Sequence, residues 1–408
     1  MDGKRWIETI SIRNLLSFGG EARPIELQPL NVLIGPNGSG KSNLIEVLSL
    51  LKAAPTDLVE PIRTGGGINE WLWKWGGKAP TAEIDLTFAA PDGNNAMRYR
   101  LEMRASGQRV ELSDESIEYA VPSKGYKEPF FFYRYQRGDP VLNIRNIPDA
   151  TIGGTQNRSE RTLRRDALLP DQSVLAQRKE PDLYPELAYL SKLFSGVQLY
   201  REWNFGRFTA PRLVQQADLP TDFLSEDASN LGLVLNDLTH SGNTKQRIIE
   251  HLRLFSDDIR DYSVKVQSNS VQLFLQEQNL AGKRQSIPAT RLSDGTLRYL
   301  CLLAVLLHPE PPPIIAIEEP ELGLHPDIIP TLAELLVDAT QRTQLIVTTH
   351  SDALIAALSE TPESVIVCER DLDGTQMRRL DRTNLASWLE NYSLGALWKM
   401  GELGGNRW

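Results

Sequence analysis

The sequence predicts an α/β protein, with a mostly parallel, helix-covered sheet, an N-terminal antiparallel β-subdomain and a helical insertion. Three observations predict it. From Ile314 to Cys368 short apolar runs alternate with helical patterns, which argues for parallel strands covered by helices. Residues 82–146 alternate apolar and polar positions between turn signals, as a half-buried β-meander does. A glycine-rich turn, Gly35–Ser42, joins an apolar run to a helical one.

Each element follows from local pattern. Trp6–Arg13 alternates and reads as a strand; Leu30–Ile34 is a fully apolar strand that stops at Gly35. From Lys41, Leu44, Ile45, Val47, Leu48 and Leu51 recur at helical spacing, and Pro55 ends the run near Ala54. The stretches Ala82–Ala90, Met97–Ala105, Gln108–Ala120 and Pro129–Gln136 form the meander, with turns at Pro91-Asp92-Gly93 and Ser106-Gly107. Beyond 146 the character changes. Thr151–Glu180 is polar and holds Arg158, Arg161, Arg164, Arg165 and Arg178, and helical patterns such as Pro185–Phe194 follow. This basic cluster reads as a solvated helix face, with a patch contacting DNA or a partner as the alternative. Regular structure returns with a helix near Gln246–Phe255, two strands in Tyr262–Gln276 and a helix over Thr296–Leu307. Then come strand Ile314–Ile317, a helix from Pro326 to Ala339, strand Gln344–Val347, helix Asp352–Leu358 and strand Ser364–Cys368. The chain thus divides into 1–146, an arm-like, mostly helical insertion at 147–240, and 241–408.

Composition narrows the function classes. With 408 residues the chain holds roughly two to three domains' worth of sequence. Two cysteines, Cys301 and Cys368, exclude a disulfide scaffold and fit a reducing compartment. Neither stands in a zinc-type cluster. The N-terminus has no apolar signal core, and the longest apolar run, Tyr299–Leu307, is far short of the ~20 residues of a membrane helix. A cytoplasmic protein outside the membrane is expected. A net charge of −9 means that any nucleic-acid contact depends on a local basic patch.

Gly35-Pro36-Asn37-Gly38-Ser39-Gly40-Lys41-Ser42 matches G-x-x-x-x-G-K-[ST] between a strand and a helix. Glycines let successive N–H groups curl round a phosphate, and the helix terminus adds partial positive charge. Lys41 can reach the β- and γ-phosphates, and the Ser42 hydroxyl suits a phosphate-bound Mg²⁺. At the end of Ile314–Ile317, Glu318 and Glu319 are adjacent carboxylates that are costly without a cation or proton. Glu318 would help hold Mg²⁺, directly or through water; Glu319 would polarise the attacking water as general base. His350, at the next strand end, could bond the γ-phosphate or that water. Ser293 and Gly295, in Leu292–Arg298, present a hydroxyl and backbone N–H groups at a second helix start. A nucleotide enclosed by its own loop need not use both, so a head-to-tail pair of subunits would bring loop and opposing helix to one γ-phosphate.

Taken in order, these motifs resemble an ABC-type ATPase head of the SMC/RecF/OLD kind, a P-loop NTPase. Gly35–Ser42 is similar to Walker A and Ile314–Glu319 to Walker B. Leu292–Arg298 resembles the signature motif, from which Asp294 and Leu297 depart. Glu321-Leu322-Gly323-Leu324-His325-Pro326 resembles the D-loop and Thr349-His350-Ser351 the switch histidine. The similarity spans roughly 1–145 and 245–370. It implies ATP and Mg²⁺ as cofactors and a homodimer that sandwiches two ATP molecules, with Ser293 and Gly295 acting in trans and hydrolysis releasing the pair. Glu318 stands where the family more often has Asp, which shifts Mg²⁺ contact toward water or slows turnover. No Q-loop glutamine is evident after the Walker A helix, and the tryptophans of Gly65–Trp75 read as packing or interface residues, with a base-stacking platform as the alternative.

Only residues 351–408 follow His350, too few for the Toprim nuclease domain of OLD-like proteins, and Asp371-Leu372-Asp373-Gly374 reads as a hairpin turn. The chain therefore resembles stand-alone bacterial ATPases of the AAA_21-like, RecF-like type, often paired with a separate nuclease or Toprim-like effector in antiphage defence. The expectation is an ATPase that dimerises around ATP and controls such a partner, with DNA as a further candidate partner. Two alternatives stay open: a RecF-like repair ATPase with ATP-gated DNA binding, and a non-hydrolysing scaffold joined by ATP.

Overall fold

A computed structural model describes residues 3–405 except 22, 76–79, 91–94, 137–138, 146–157, 165–167, 202 and 280, with backbone only at 136, 145 and 158. Two large sheets dominate. The first is eight-stranded and antiparallel. It begins with Ile25–Glu26 and Ile7–Arg13, and runs through Ala82–Phe88, Met97–Ser106, Arg109–Tyr119, Phe131–Gln136 and Asp139–Arg145 to Arg158–Thr162. The second is six-stranded, in the order Gln198–Tyr200, Ile314–Glu318, Gln344–Thr348, Leu30–Ile34, Val365–Asp371, Gly374–Arg379. It is parallel apart from its last hairpin.

The parallel strands are buried on both faces, which is why they read as unbroken apolar runs. Val32, Ile315, Ile317, Leu345 and Val347 face one hydrophobic cluster with the helices Asp294–Leu306 and Ile329–Ala339. Leu33, Ile314, Ala316 and Ile346 face the other, where helix Lys41–Ala53 packs with Ile84, Leu86, Tyr99 and Leu101 of the antiparallel sheet. The meander alternates because its other face is polar. There Arg98 forks onto Asp85 (2.8 and 2.5 Å) and Arg100 bonds Glu83 (2.9 Å). Buried Gln344 ties the two sheets by accepting from Ile7 N–H (2.9 Å) and donating to Ile7 C=O (2.8 Å).

The segment 147–240 differs from the mostly helical arm expected. Arg158–Thr162 adds the outermost strand of the antiparallel sheet, and Gln198–Tyr200 is an edge strand of the parallel one, paired with Ile315–Ile317. Helix Pro185–Ser195 buries Leu187, Leu190, Leu193 and Phe194 in the cluster that holds helix Lys41–Ala53. A buried carboxylate, Glu115, accepts from Tyr99 Oη (2.8 Å), Ser173 Oγ (2.5 Å) and Val174 N–H (2.8 Å), pinning 173–177 to the meander. A three-residue strand is too short to show a period, so its pairing is invisible in sequence. Residues 151–157 and 165–167, Arg165 among them, lie outside the described residues; Arg161 and Arg164 are exposed.

A smaller antiparallel sheet of Ile259–Gln267, Ser270–Gln278, Arg284–Pro288 and Gln215–Gln216 lies before helix Asp294–Leu306. Among the described residues no helix is long and apolar enough to cross a membrane. Cys301 and Cys368 are buried free thiols, and burial pushes the Cys368 thiol up to about 12.

Candidate functional site

The C-terminal ends of three parallel strands are level. Leu33 pairs with Thr348, and Thr348 with Glu318. Open α/β sheets bind ligands outside this edge. Leu30–Ile34 runs into the glycine loop, where three glycines hold positive φ: Gly35 at 152°, Gly38 at 77° and Gly40 at 100°. At Gly35 a Cβ would lie 2.3 Å from the Cys368 carbonyl, and at Gly40 2.2 Å from Thr375 Oγ1. At Gly38 it would meet nothing within 4 Å, so that turn faces open space. Thr375 supports the loop from behind, donating to Ser39 C=O (3.0 Å) and bonding Ser17 Oγ (2.7 Å), which also accepts from Asn43 Nδ2 (2.6 Å).

Helix Lys41–Ala53 starts at Gly40 with no side-chain cap, so the backbone N–H groups of its first turn are left for an anion. Lys41 Nζ donates to the carbonyls of Gly35 (2.7 Å) and Pro36 (3.0 Å) and is buried. Burial draws its pKa below the usual lysine range, opposed by Glu319 and Glu318. It is an ammonium held over the loop by two carbonyls that a phosphate could replace.

At the end of Ile314–Glu318, the Glu318 side chain is mostly buried. Its Oε1 has no hydrogen-bond partner among the described residues, and its Oε2 lies 3.7 Å from Arg201 Nε. Glu319 adopts φ 45°, a conformation sparsely used outside glycine, and its N–H donates to Thr348 C=O (3.0 Å). The Glu319 carboxylate stands 3.7 Å from His350 Nε2. Burial and the nearby Lys41 charge depress the His350 pKa, with Glu319 pulling the other way. Half-buried Glu321 accepts from Thr349 Oγ1 and His350 N–H (3.3 Å), which ties the two strand ends together.

A cleft of about 380 Å³ opens there, lined by Asn37, Gly38, Gly40, Lys41, Ser42, Glu318, Glu319 and His350. Sequence reasoning also placed Gly35, Pro36 and Ser39 in the loop, and these stand behind it; Ser39 is buried. No group of three His, Cys, Asp or Glu side chains among the described residues is placed to hold a metal alone. The orphaned Glu318 Oε1 and the Ser42 hydroxyl fit a cation that brings phosphate oxygens as its remaining ligands.

Ser293 and Gly295 are not part of that lining. Ser293 Oγ caps its own helix, accepting from Thr296 N–H (3.0 Å) and bonding Thr296 Oγ1 (2.7 Å), so the hydroxyl expected to be open is engaged. Asp294 pairs with Arg212, whose guanidinium is buried against the carbonyls of Phe205 (2.7 Å) and Leu292. Gly295 packs on the Glu321–Pro326 turn, where a Cβ would lie 2.6 Å from the Gly323 carbonyl.

Among the cleft residues that sequence reasoning did not place there are Arg201, Trp203 and Arg298. Arg298 lies over the Phe205 ring (5.3 Å to its centroid) and donates to Glu319 C=O (3.5 Å). It closes the sequence motif Leu292–Arg298, a signal that pointed to the helix tip and not to the cleft. Among the tryptophans of Gly65–Trp75, Trp71 and Trp73 are buried and Trp75 is exposed.

No curated protein matches the sequence. Among solved structures, the chain is similar to an Smc head bound to the C-winged helix domain of ScpA, at 13% identity and a TM-score of 0.56. That match covers 94% of this chain and 100% of the other. A second similar structure is an Smc head with an extended coiled coil, bound to the C-terminal domain of ScpA, from Pyrococcus furiosus. It is 12% identical with a TM-score of 0.56, covering 94% and 98%. Residues 30–356 match the AAA_21 family, described as "AAA domain, putative AbiEii toxin, Type IV TA system". That span runs from the strand before the glycine loop to beyond His350, so the chain belongs to this family, on the fold of an SMC/ABC-type ATPase head.

Proposed function

We propose that the protein binds and hydrolyses ATP between two copies of itself and uses that cycle to control a separate effector. The observation that carries this reading is the unfinished cleft. One wall gathers loop, lysine, two carboxylates and histidine, while the Ser293–Gly295 helix tip of the same chain stands outside it.

Each cleft residue has a task set by its position. Lys41 leaves two carbonyls for the β- and γ-phosphates, a trade that favours the charged acceptor. Backbone N–H groups from Gly38 to Ser42 cradle the phosphates. Ser42 and Glu318 would hold Mg²⁺, which supplies charge neutralisation on the β- and γ-oxygens. Glu319 orients the attacking water and takes its proton. His350, held neutral by burial and Lys41, bonds the water or the γ-phosphate while anchored through Glu321. Ser293 and Gly295 of the opposing subunit would close the cleft over the γ-phosphate. Supporting effector control, Smc heads of the same fold are bound to domains of ScpA, and the family description includes a toxin of a Type IV system. A nuclease or Toprim-like effector in antiphage defence is the partner this reading favours, in a cytoplasmic setting. A RecF-like role on DNA has one favouring observation, the exposed Arg161 in the outermost strand and Arg164 just after it. A steep salt dependence of DNA affinity, lost on Arg161→Ala and Arg164→Ala, would establish it.

Two variants test the main reading. Lys41→Ala should weaken ATP binding roughly 100-fold, since it removes charge-assisted bonds to phosphate. Glu319→Gln should cut turnover at least ~100-fold and leave an ATP-bound dimer whose mass light scattering reads. Hydrolysis unchanged in both variants would end the proposal.

A further inference from the structure

Arg201 follows the edge strand Gln198–Tyr200. Because Tyr200 pairs with Ile317, Arg201 arrives level with Glu318 at the cleft edge. Its guanidinium is shared. One side bonds Glu46 of helix Lys41–Ala53 at 2.8 Å; Nε lies 3.7 Å from Glu318 Oε2. The other oxygen of that carboxylate is buried without a hydrogen-bond partner among the described residues. A planar fork suits this bridging task, and a carboxylate between two cations divides its attraction between them.

We propose that Arg201 is a latch on Glu318, a positioning residue that holds this carboxylate while the cleft is empty and yields it, by withdrawing to the Glu46 it already contacts, when magnesium nucleotide arrives. The proposal rests on the nucleotide reading above. Its consequence is competition: Arg201 sets how much Mg²⁺ the cleft needs, and Glu46 sets how readily Arg201 lets go.

The test follows binding of a fluorescent ATP analogue to the full chain while MgCl2 is titrated from an EDTA baseline. Arg201→Ala should lower the Mg²⁺ midpoint, by roughly threefold to tenfold for a half-buried ion pair. Glu46→Gln should raise it, because the guanidinium then loses the carboxylate that draws it away from Glu318. These opposite shifts are the signature, and Glu46→Gln carries the test alone should Arg201→Ala fail to fold. A midpoint equal to wild type in both variants, even with a lowered melting temperature, would make Arg201 a structural bridge and overturn the latch. Weaker binding in Arg201→Ala with and without Mg²⁺ would make it a phosphate contact, which also overturns it. A wild-type chain that binds no analogue would defeat the nucleotide reading itself, a result separate from either.

Discussion

The helix that follows the glycine loop and the helix that follows Ser293 both begin where backbone N–H groups attract negative charge, yet they are finished differently. The first starts on a left-handed glycine with no side-chain cap, beside an ammonium held by carbonyls. The second brings its own acceptor, Ser293 Oγ, and its own anion, Asp294, which Arg212 neutralises. The lesson is one of unmet demand. The loop helix is arranged for a charged ligand. The Ser293 helix is satisfied alone and adds contacts only when something is pressed against it, as a cap from a second subunit would be.

Breaking the loop side should cost most. Gly40→Ala forces a side chain into a left-handed residue against Thr375 and Ser17, so we expect about 3 kcal/mol lost in urea denaturation and no ATP binding by calorimetry. The contrast fails if that variant binds ATP as the wild type does. Gly295→Ala strikes the other helix at the Gly323 carbonyl. It should abolish the ATP-dependent dimer in light scattering while the monomer binds ATP within about twofold of wild type, since neither Gly295 nor Gly323 lines the cleft. Ser293→Ala removes the cap and should cost about 1 kcal/mol of stability. Its dimer should also be lost, whereas Ser293→Thr keeps an acceptor and should restore the stability.

The same contrast explains what could be read in advance. Loop, acidic pair and histidine were legible because each sits where an apolar strand stops, and the alternation of Ile314–Glu318, Gln344–Thr348 and the intervening helix sets those ends level. The turn at Asp371–Gly374 was legible from its Asp-Gly chemistry; the hairpin is there, Asp371 pairing with Gly374. Arg201 was not legible, because its strand is three residues long and pairs with a partner more than 100 positions away. Thr375 was missed for a similar reason. Its hydroxyl reaches Ser39 only because the last hairpin folds back across the loop, a tertiary approach with no period in the sequence. Nor could pattern reveal that Ser293 spends its hydroxyl on Thr296, since a cap and a ligand-binding serine look alike there.

The smallest expected effect tests the loop wall from within. Burial and the Lys41 ammonium hold the His350 pKa below the ordinary histidine value, while Glu319 opposes them. A depressed base binds fewer protons in the folded than in the unfolded chain. The stability this neutral imidazole contributes is therefore full above about pH 6.5 and declines as the pH falls through that value toward the folded pKa. Removing each neighbour should move the folded midpoint in a known direction. Lys41→Ala deletes a repulsive cation and should raise it. Glu319→Gln deletes an attractive anion and should lower it further. The Glu319→Gln shift should be a few tenths of a pH unit, as for partly exposed charges about 4 Å apart in a high effective dielectric. Imidazole C–H resonances followed from pH 8 to 5, with His350 assigned by its loss in His350→Gln, read both midpoints. Shifts of the same sign would mean that Lys41 and Glu319 do not flank the imidazole from opposing sides of the charge balance, and the proposed pairing of a neutral histidine with a charged glutamate would lose its electrostatic basis.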